Sequence, residues 1–157
     1  MCAAKLSHLR GITILGPSYD YWIVKLYPSG AIQWQNTIGG RDTDKLACLQ
    51  QTSDGGYILG GTSNSRISGD KTEPSIVFDS NDYWVVEVDF VGNILWENTI
   101  GGNWDDFLHV IKQTPDGGYI VGGTSNSSNY GDKSEPSVND DYWVLKLNAA
   151  GAISWQK

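Results

Sequence analysis

Residues 51–65 read QTSDGGYILGGTSNS and residues 113–127 read QTPDGGYIVGGTSNS. Setting residues 20–75 against 82–137 at a constant offset of 62 gives 33 identities in 56 aligned positions without a gap. Self-similarity at such a period confines a chain to architectures built by stacking one supersecondary unit. A third copy opens at Asp141, where DYWVLKLNAAGAISWQK follows DYWIVKLYPSGAIQWQN (from Asp20) and DYWVVEVDFVGNILWEN (from Asp82). At the other end, GITILG (residues 11–16) reads as a degenerate GYILGG that leads directly into YDYW. The organisation is therefore a non-repeating start with a partial strand (1–18), a first unit (19–81), a second unit (82–140) and a partial third (141–157).

Each unit contains four short apolar runs. In the second they are Tyr83 to Val88, Ile94 to Ile100, Phe107 to Thr114 and Tyr119 to Gly123. They are rich in Val, Ile, Tyr, Trp and Thr and bounded by Gly, Asn, Asp or Pro, which marks strands. Alternation agrees, since Trp143, Leu145 and Leu147 fall on one face of a pleat and Tyr142, Val144 and Lys146 on the other. PSG (28–30), VGN (91–93) and PDGG (115–118) supply the positive φ that tight hairpins require, so neighbouring strands are expected to pair antiparallel. No window carries a helical period.

Four antiparallel strands in a tandem unit of about 60 residues predict an all-β fold of four-stranded β-propeller blades. A β-solenoid is the rival, but its coils are shorter and seldom contain tight hairpins. Propellers close with four or more blades, and this chain holds about two and a half. The expected ring is thus incomplete, to be closed by further blades of the same chain or by other copies. Unpaired strand edges invite either.

The run DYWVVEVDFVGNILWENTIGG…DDFLHVIKQTPDGGYIVGGTSNS resembles the tandem repeats of large exported bacterial surface proteins, related to seven-bladed β-propeller repeats. The resemblance covers residues 19–157 and rests on DYW, the Gly four residues before Trp, TIGG and DGGYI. It implies an extracellular or cell-surface location and is specific for fold, not for activity. A weaker likeness is to quinoprotein propellers, through Gly30/Trp34, Gly92/Trp96 and Gly151/Trp155. There the sequence departs from the pattern, because Asp89 stands three residues before Gly92 rather than four. No cofactor is carried over.

The formal net charge of -7 and the lack of a Lys/Arg cluster argue against nucleic acid or an anionic membrane as partner. No run of 18 apolar residues would span a bilayer. The start MCAAKLSHLRGIT lacks the apolar core of a signal peptide, and Cys2 lacks the residues that precede a lipid-attachment site. A missing N-terminal portion would reconcile this with export. Cys48 aligns with Val110, which marks it as a small apolar core residue.

An up-and-down meander sends alternate connections to opposite faces. One face carries only minimal turns. The other carries GGRDTD (39–44), GGNWDD (101–106) and the long segments 62–81 and 124–140, and loops of this kind on a rigid scaffold are where binding resides. Trp104, whose counterpart is Asp42, reads either as a ligand-stacking residue helped by Tyr130 or as a side chain folded back on its own blade. Asp42 and Asp105 are further candidate ligand-binding residues. Asp70, Asp79, Asp82, Asp132, Asp140 and Asp141 are oxygen donors of the type calcium takes, but no loop has the alternating acidic spacing of a dedicated calcium loop. Asp44 and Asp106 read as turn caps. Trp22, Trp34, Trp84, Trp96, Trp143 and Trp155 recur at equivalent positions and are assigned to packing between blades.

His8 lies in the non-repeating start and His109 replaces Ala47, so neither belongs to a recurring site. No nucleophile elbow, metal-ligand cluster or phosphate-binding glycine pattern is present. The expectation is a non-catalytic binding or adhesion module for a protein or glycan ligand. The alternatives are a spacer that displays another domain, and a fragment of a propeller enzyme whose active site lies in missing blades.

Overall fold

The computed structural model describes residues 2–8 as backbone and residues 18–157 in full. It is all-β. The strands are β1 (Cys2–His8), β2 (Tyr19–Leu26), β3 (Ile32–Ile38), β4 (Asp44–Gln51), β5 (Tyr57–Ser63), β6 (Asp82–Val88), β7 (Ile94–Ile100), β8 (Asp106–Gln113), β9 (Tyr119–Ser125), β10 (Asp141–Leu147) and β11 (Ile153–Gln156). They form three antiparallel meanders: sheet 1 is β1-β2-β3, sheet 2 is β4-β5-β6-β7 and sheet 3 is β8-β9-β10-β11. The sheets stack in chain order without closing, as the blades of an incomplete β-propeller do. The strand expected from GITILG falls at residues 11–16, outside the described residues.

The hairpin turns follow from composition. Gly30, Gly92 and Gly151 hold φ of 86°, 93° and 82°. Their N–H groups donate to Tyr27, Asp89 and Asn148 carbonyls, closing the β2–β3, β6–β7 and β10–β11 turns at 2.9–3.1 Å. Just beyond each turn the register slips by one residue, between Lys25 and Leu26, Glu87 and Val88, and Lys146 and Leu147. A second bulge falls between Leu46 and Cys48 and between Leu108 and Val110. It leaves Ala47 and His109 as the extra residues, which explains a histidine inside a strand that contributes nothing to the core.

The sheets are out of phase with the sequence units. One unit supplies the last two strands of one sheet (β2, β3) and the first two of the next (β4, β5). Neighbouring strands therefore do not all pair: β3 and β4, joined by only five residues, belong to different sheets, whereas β5 and β6, joined by eighteen, pair along their whole length.

Two apolar cores lie between the sheets. Tyr21, Ile23, Ile38, Tyr57, Leu59, Trp84, Val86 and Val88 fill the space between sheets 1 and 2. Ile58, Tyr83, Val85, Leu108, Ile111, Tyr119, Val121, Trp143, Leu145 and others fill that between sheets 2 and 3, with Cys48 packed against them. Sheet 2 is covered on both faces, and every residue of β5 and β6 is buried.

The DYW and GYI-GG motifs meet across these cores. The Tyr21 hydroxyl donates to the Trp84 carbonyl at 3.0 Å and the Tyr83 hydroxyl to the Trp143 carbonyl at 3.2 Å. A Cβ on Gly61 or Gly123 would lie 2.6 Å from the respective hydroxyl. The same Cβ would lie 2.1 or 2.0 Å from the Lys45 or Phe107 carbonyl, so the glycine is required both by the neighbouring strand's backbone and by the tyrosine of the preceding sheet. Burial pushes the pKa of both phenols up, keeping them protonated donors.

Candidate functional site

The two long connections, 64–81 and 126–140, fold back over their own sheets through the motif GDK(T/S)EPS. Asp70 and Asp132 accept the Gly39 and Gly101 N–H groups at 3.2 and 3.1 Å, and return their own N–H to the carbonyls of the same glycines. Lys71 and Lys133 are buried beneath the loops, with ammonium groups 5.3 and 5.2 Å from the ring centroids of Trp84 and Trp143. Lys71 also donates to the Thr99 hydroxyl. Glu97 accepts the Thr72 N–H at 2.8 Å, and Gln156 accepts the Ser134 N–H at 3.1 Å.

Three buried carboxylates and the exposed Asp141 tie the same loops down. Asp44 accepts the Gly40 N–H at 2.6 Å and the hydroxyls of Ser63 and Ser65 at 2.5 and 3.0 Å. Asp106 accepts the Gly102 N–H and the Ser127 hydroxyl at 2.8 and 3.0 Å. Asp82 and Asp141 accept the N–H of Ile76 and Val138 at 2.7 and 2.8 Å. Burial pushes Asp44 up to about 6 and Asp82 up to about 7, the latter helped by the nearby Asp106 charge. Desolvation lowers the pKa of Lys71 against the opposing pull of Glu97, Asp44 and Asp82.

The repeated polar residues therefore hold the loops in place, and the exposed aromatic side chains of the loops, Phe78, Trp104 and Tyr130, sit where the two units differ. Trp104 is 61% exposed, and its backbone N–H is fixed by the Ser127 hydroxyl at 3.0 Å, just as Asp42 is fixed by Ser65. The indole does not fold back into a core. Tyr130 is 54% exposed. Its loop abuts that of Trp104, since a Cβ on Gly102 would lie 3.2 Å from the Tyr130 carbonyl.

Phe78, 69% exposed, was not singled out by the sequence, although it lies in the extra three residues that the first unit carries before DYW. That insertion was the available signal. The Arg66 guanidinium lies 4.1 Å from the Phe78 ring centroid. With Asn64, Ile67, Pro74, Ser75 and Asp79, these two line a cleft of about 360 Å³. The Phe78 segment is joined to the Trp104 loop by Asn81, whose backbone and side-chain N–H groups donate to Asp105 at 2.9 and 2.8 Å. Asp105 thus ties the loop that carries Trp104 to the end of the segment that carries Phe78.

The six aspartates considered for calcium are not brought together. Four of them hold backbone amides as described, and among the described residues no three Asp, Glu, His or Cys side chains form a group suited to a metal. Of the recurrent tryptophans, Trp84 and Trp143 are fully buried, and Trp34 and Trp96 pack against the cores. Trp22 is half-buried and Trp155 is 48% exposed. Both of these belong to the end sheets.

No family model matches the chain, and no curated protein resembles it closely enough to count as a relative. No described helix is long and apolar enough to cross a membrane.

Proposed function

We propose that this chain is a non-catalytic binding or adhesion module of an exported bacterial surface protein, with the loop face as its recognition surface. The observation that carries this reading is the division of labour between the loops. Positions common to both units anchor the loops to the sheets, while Arg66, Phe78, Trp104 and Tyr130, which differ between units, stand in solvent. Exposed aromatics on a rigid scaffold suit stacking against sugar faces or seating extended peptide side chains. The export and surface location rest on the sequence resemblance.

The test is binding to immobilised glycan and protein panels by wild-type chain, Trp104→Ala and Phe78→Ala, with Phe90→Ala on the minimal-turn face as control. A ligand bound through this face loses affinity by about tenfold or more in the first two variants, in line with the loss of a central aromatic. Equal binding by all four proteins places recognition elsewhere. Binding to nothing in either panel returns the spacer reading.

A further inference from the structure

Each internal interface repeats one contact at its outer edge, where a tryptophan of the earlier sheet lies on the turn glycine of the later one. A Cβ on Gly92 would meet the Trp34 ring at 3.0 Å, and a Cβ on Gly151 would meet the Trp96 ring at 2.7 Å. Around the first contact, Trp34 Nε1 and Lys25 Nζ both donate to the Phe90 carbonyl, at 3.1 and 3.2 Å. Beside it, Asn36 donates to the Gly92 carbonyl at 2.9 Å, and Asn98 repeats this with Gly151 at 2.8 Å.

The two halves of one more such contact stand open at opposite ends of the stack. Trp155 occupies the position of Trp34 and Trp96 and is 48% exposed. Gly30 occupies the position of Gly92 and Gly151, holds the same turn at φ 86°, and has no described atom within 4 Å of the place a Cβ would take. Lys146, in the position of Lys25, reaches the β8–β9 turn of its own sheet instead, bonding Thr114, Asp116 and the Leu147 carbonyl at 2.9–3.0 Å. The outer face of sheet 3 also presents Tyr142, 85% exposed, and Val110.

We propose that a second copy of this chain docks head to tail, with the Trp155 ring of one copy seated on the Gly30 turn of the other, the part of the contact that both inner interfaces share. The occupant is argued from continuity with the two interfaces inside the chain, because the complement of each open half is the half exposed at the other end. Two copies bring six sheets, within the four to eight that close a propeller, and a head-to-tail contact that closes gives a ring instead of a filament. Two positions differ from the inner interfaces. Lys157 stands in the place of Asn36 and Asn98. Lys5 pairs opposite Trp22 where Gly61 and Gly123 stand in the other sheets, so the tyrosine contact is not part of the proposed one.

The experiment is size-exclusion chromatography with light scattering on the 157-residue chain at about 100 μM, together with Trp155→Ala, Gly30→Asn and an equimolar mixture of the two variants. Asn tolerates the left-handed backbone at position 30 and fills the seat without meeting a described atom of its own chain. The expected result is twice the 17.2 kDa chain mass for wild type. Each variant alone is monomeric, with a dissociation constant raised about thirtyfold or more. The mixture regains association, because it still holds one intact tryptophan and one intact glycine seat. Circular dichroism confirms that the variants fold. A monomeric wild type, a mass that climbs without limit with concentration, a dimer indifferent to both substitutions, or a mixture that fails to associate overturns the proposal.

Discussion

At the scale of single residues, a strand glycine is confined from two sides, by a carbonyl of the neighbouring strand and by a tyrosine hydroxyl of the preceding sheet. Gly123→Ala sets a methyl group against the Phe107 carbonyl and 2.6 Å from the Tyr83 hydroxyl. The expected loss is about 2 kcal/mol or more, as for other overpacked interiors. Tyr83→Phe removes only the hydrogen bond to Trp143, at about 1 kcal/mol. Urea denaturation of both and of the double variant checks this, and because the groups touch, the losses are expected to be non-additive. The buried carboxyls add a pH dependence of definite sign. Asp44 and Asp82 have folded pKa values of about 6 and 7, raised above their unfolded values by burial. The folded state therefore holds protons that the unfolded chain has released, and stability falls as pH rises from about 4 to 7. Exposed Asp54, Asp89 and Asp116 have lowered pKa values and act in the opposite sense, losing stability as pH falls below about 4. Thermal unfolding is thus expected several degrees higher at pH 5 than at pH 8, at about 2–4 °C per kcal/mol. Asp82→Asn should flatten that slope; an unchanged slope would remove Asp82 from the explanation.

At the scale of elements, the strands and their turns were legible in the sequence because period-2 alternation and turn glycines are local signals. Ile94–Ile100 is matched to the residue, and the ends of the neighbouring strands shift by one or two. What local signals did not carry was the grouping of strands into sheets. Connection length suggests that β3 pairs with β4, yet their five-residue link crosses between sheets, while eighteen residues join the paired β5 and β6. The reason lies in contacts distant in sequence, such as Asp44 with Ser63 and Ser65, which anchor that crossing to the loop after β5. Of the candidate site, Trp104 and Tyr130 were legible because they break the repeat, and Phe78 was missed because it sits in an insertion. The aspartates carry a donor chemistry that fits both metal binding and amide capping, which the sequence does not separate; four of the six accept backbone amides. Burial of sheet 2 on both faces predicts that β5 and β6 amides exchange with solvent most slowly and those of β11 fastest. Hydrogen exchange read by mass spectrometry checks the ranking, and equal protection of β11 and β6 would contradict it.

At the scale of the whole molecule, the stack presents one face of long loops and two end faces of different character, the tryptophan end and the glycine end. The loop face and the ends are separable, so variants of Phe78 or Trp104 should leave solution mass unchanged while variants of Trp155 or Gly30 change it. The offset between sequence unit and sheet bears on how such a chain changes length. A tandem duplication that adds one unit inserts the closing half of one sheet and the opening half of the next. Wherever the breakpoint falls within the array, the new halves find complements on either side, and no added unit leaves an orphan strand edge of its own. An array built this way can therefore gain or lose whole units while every internal sheet keeps four strands.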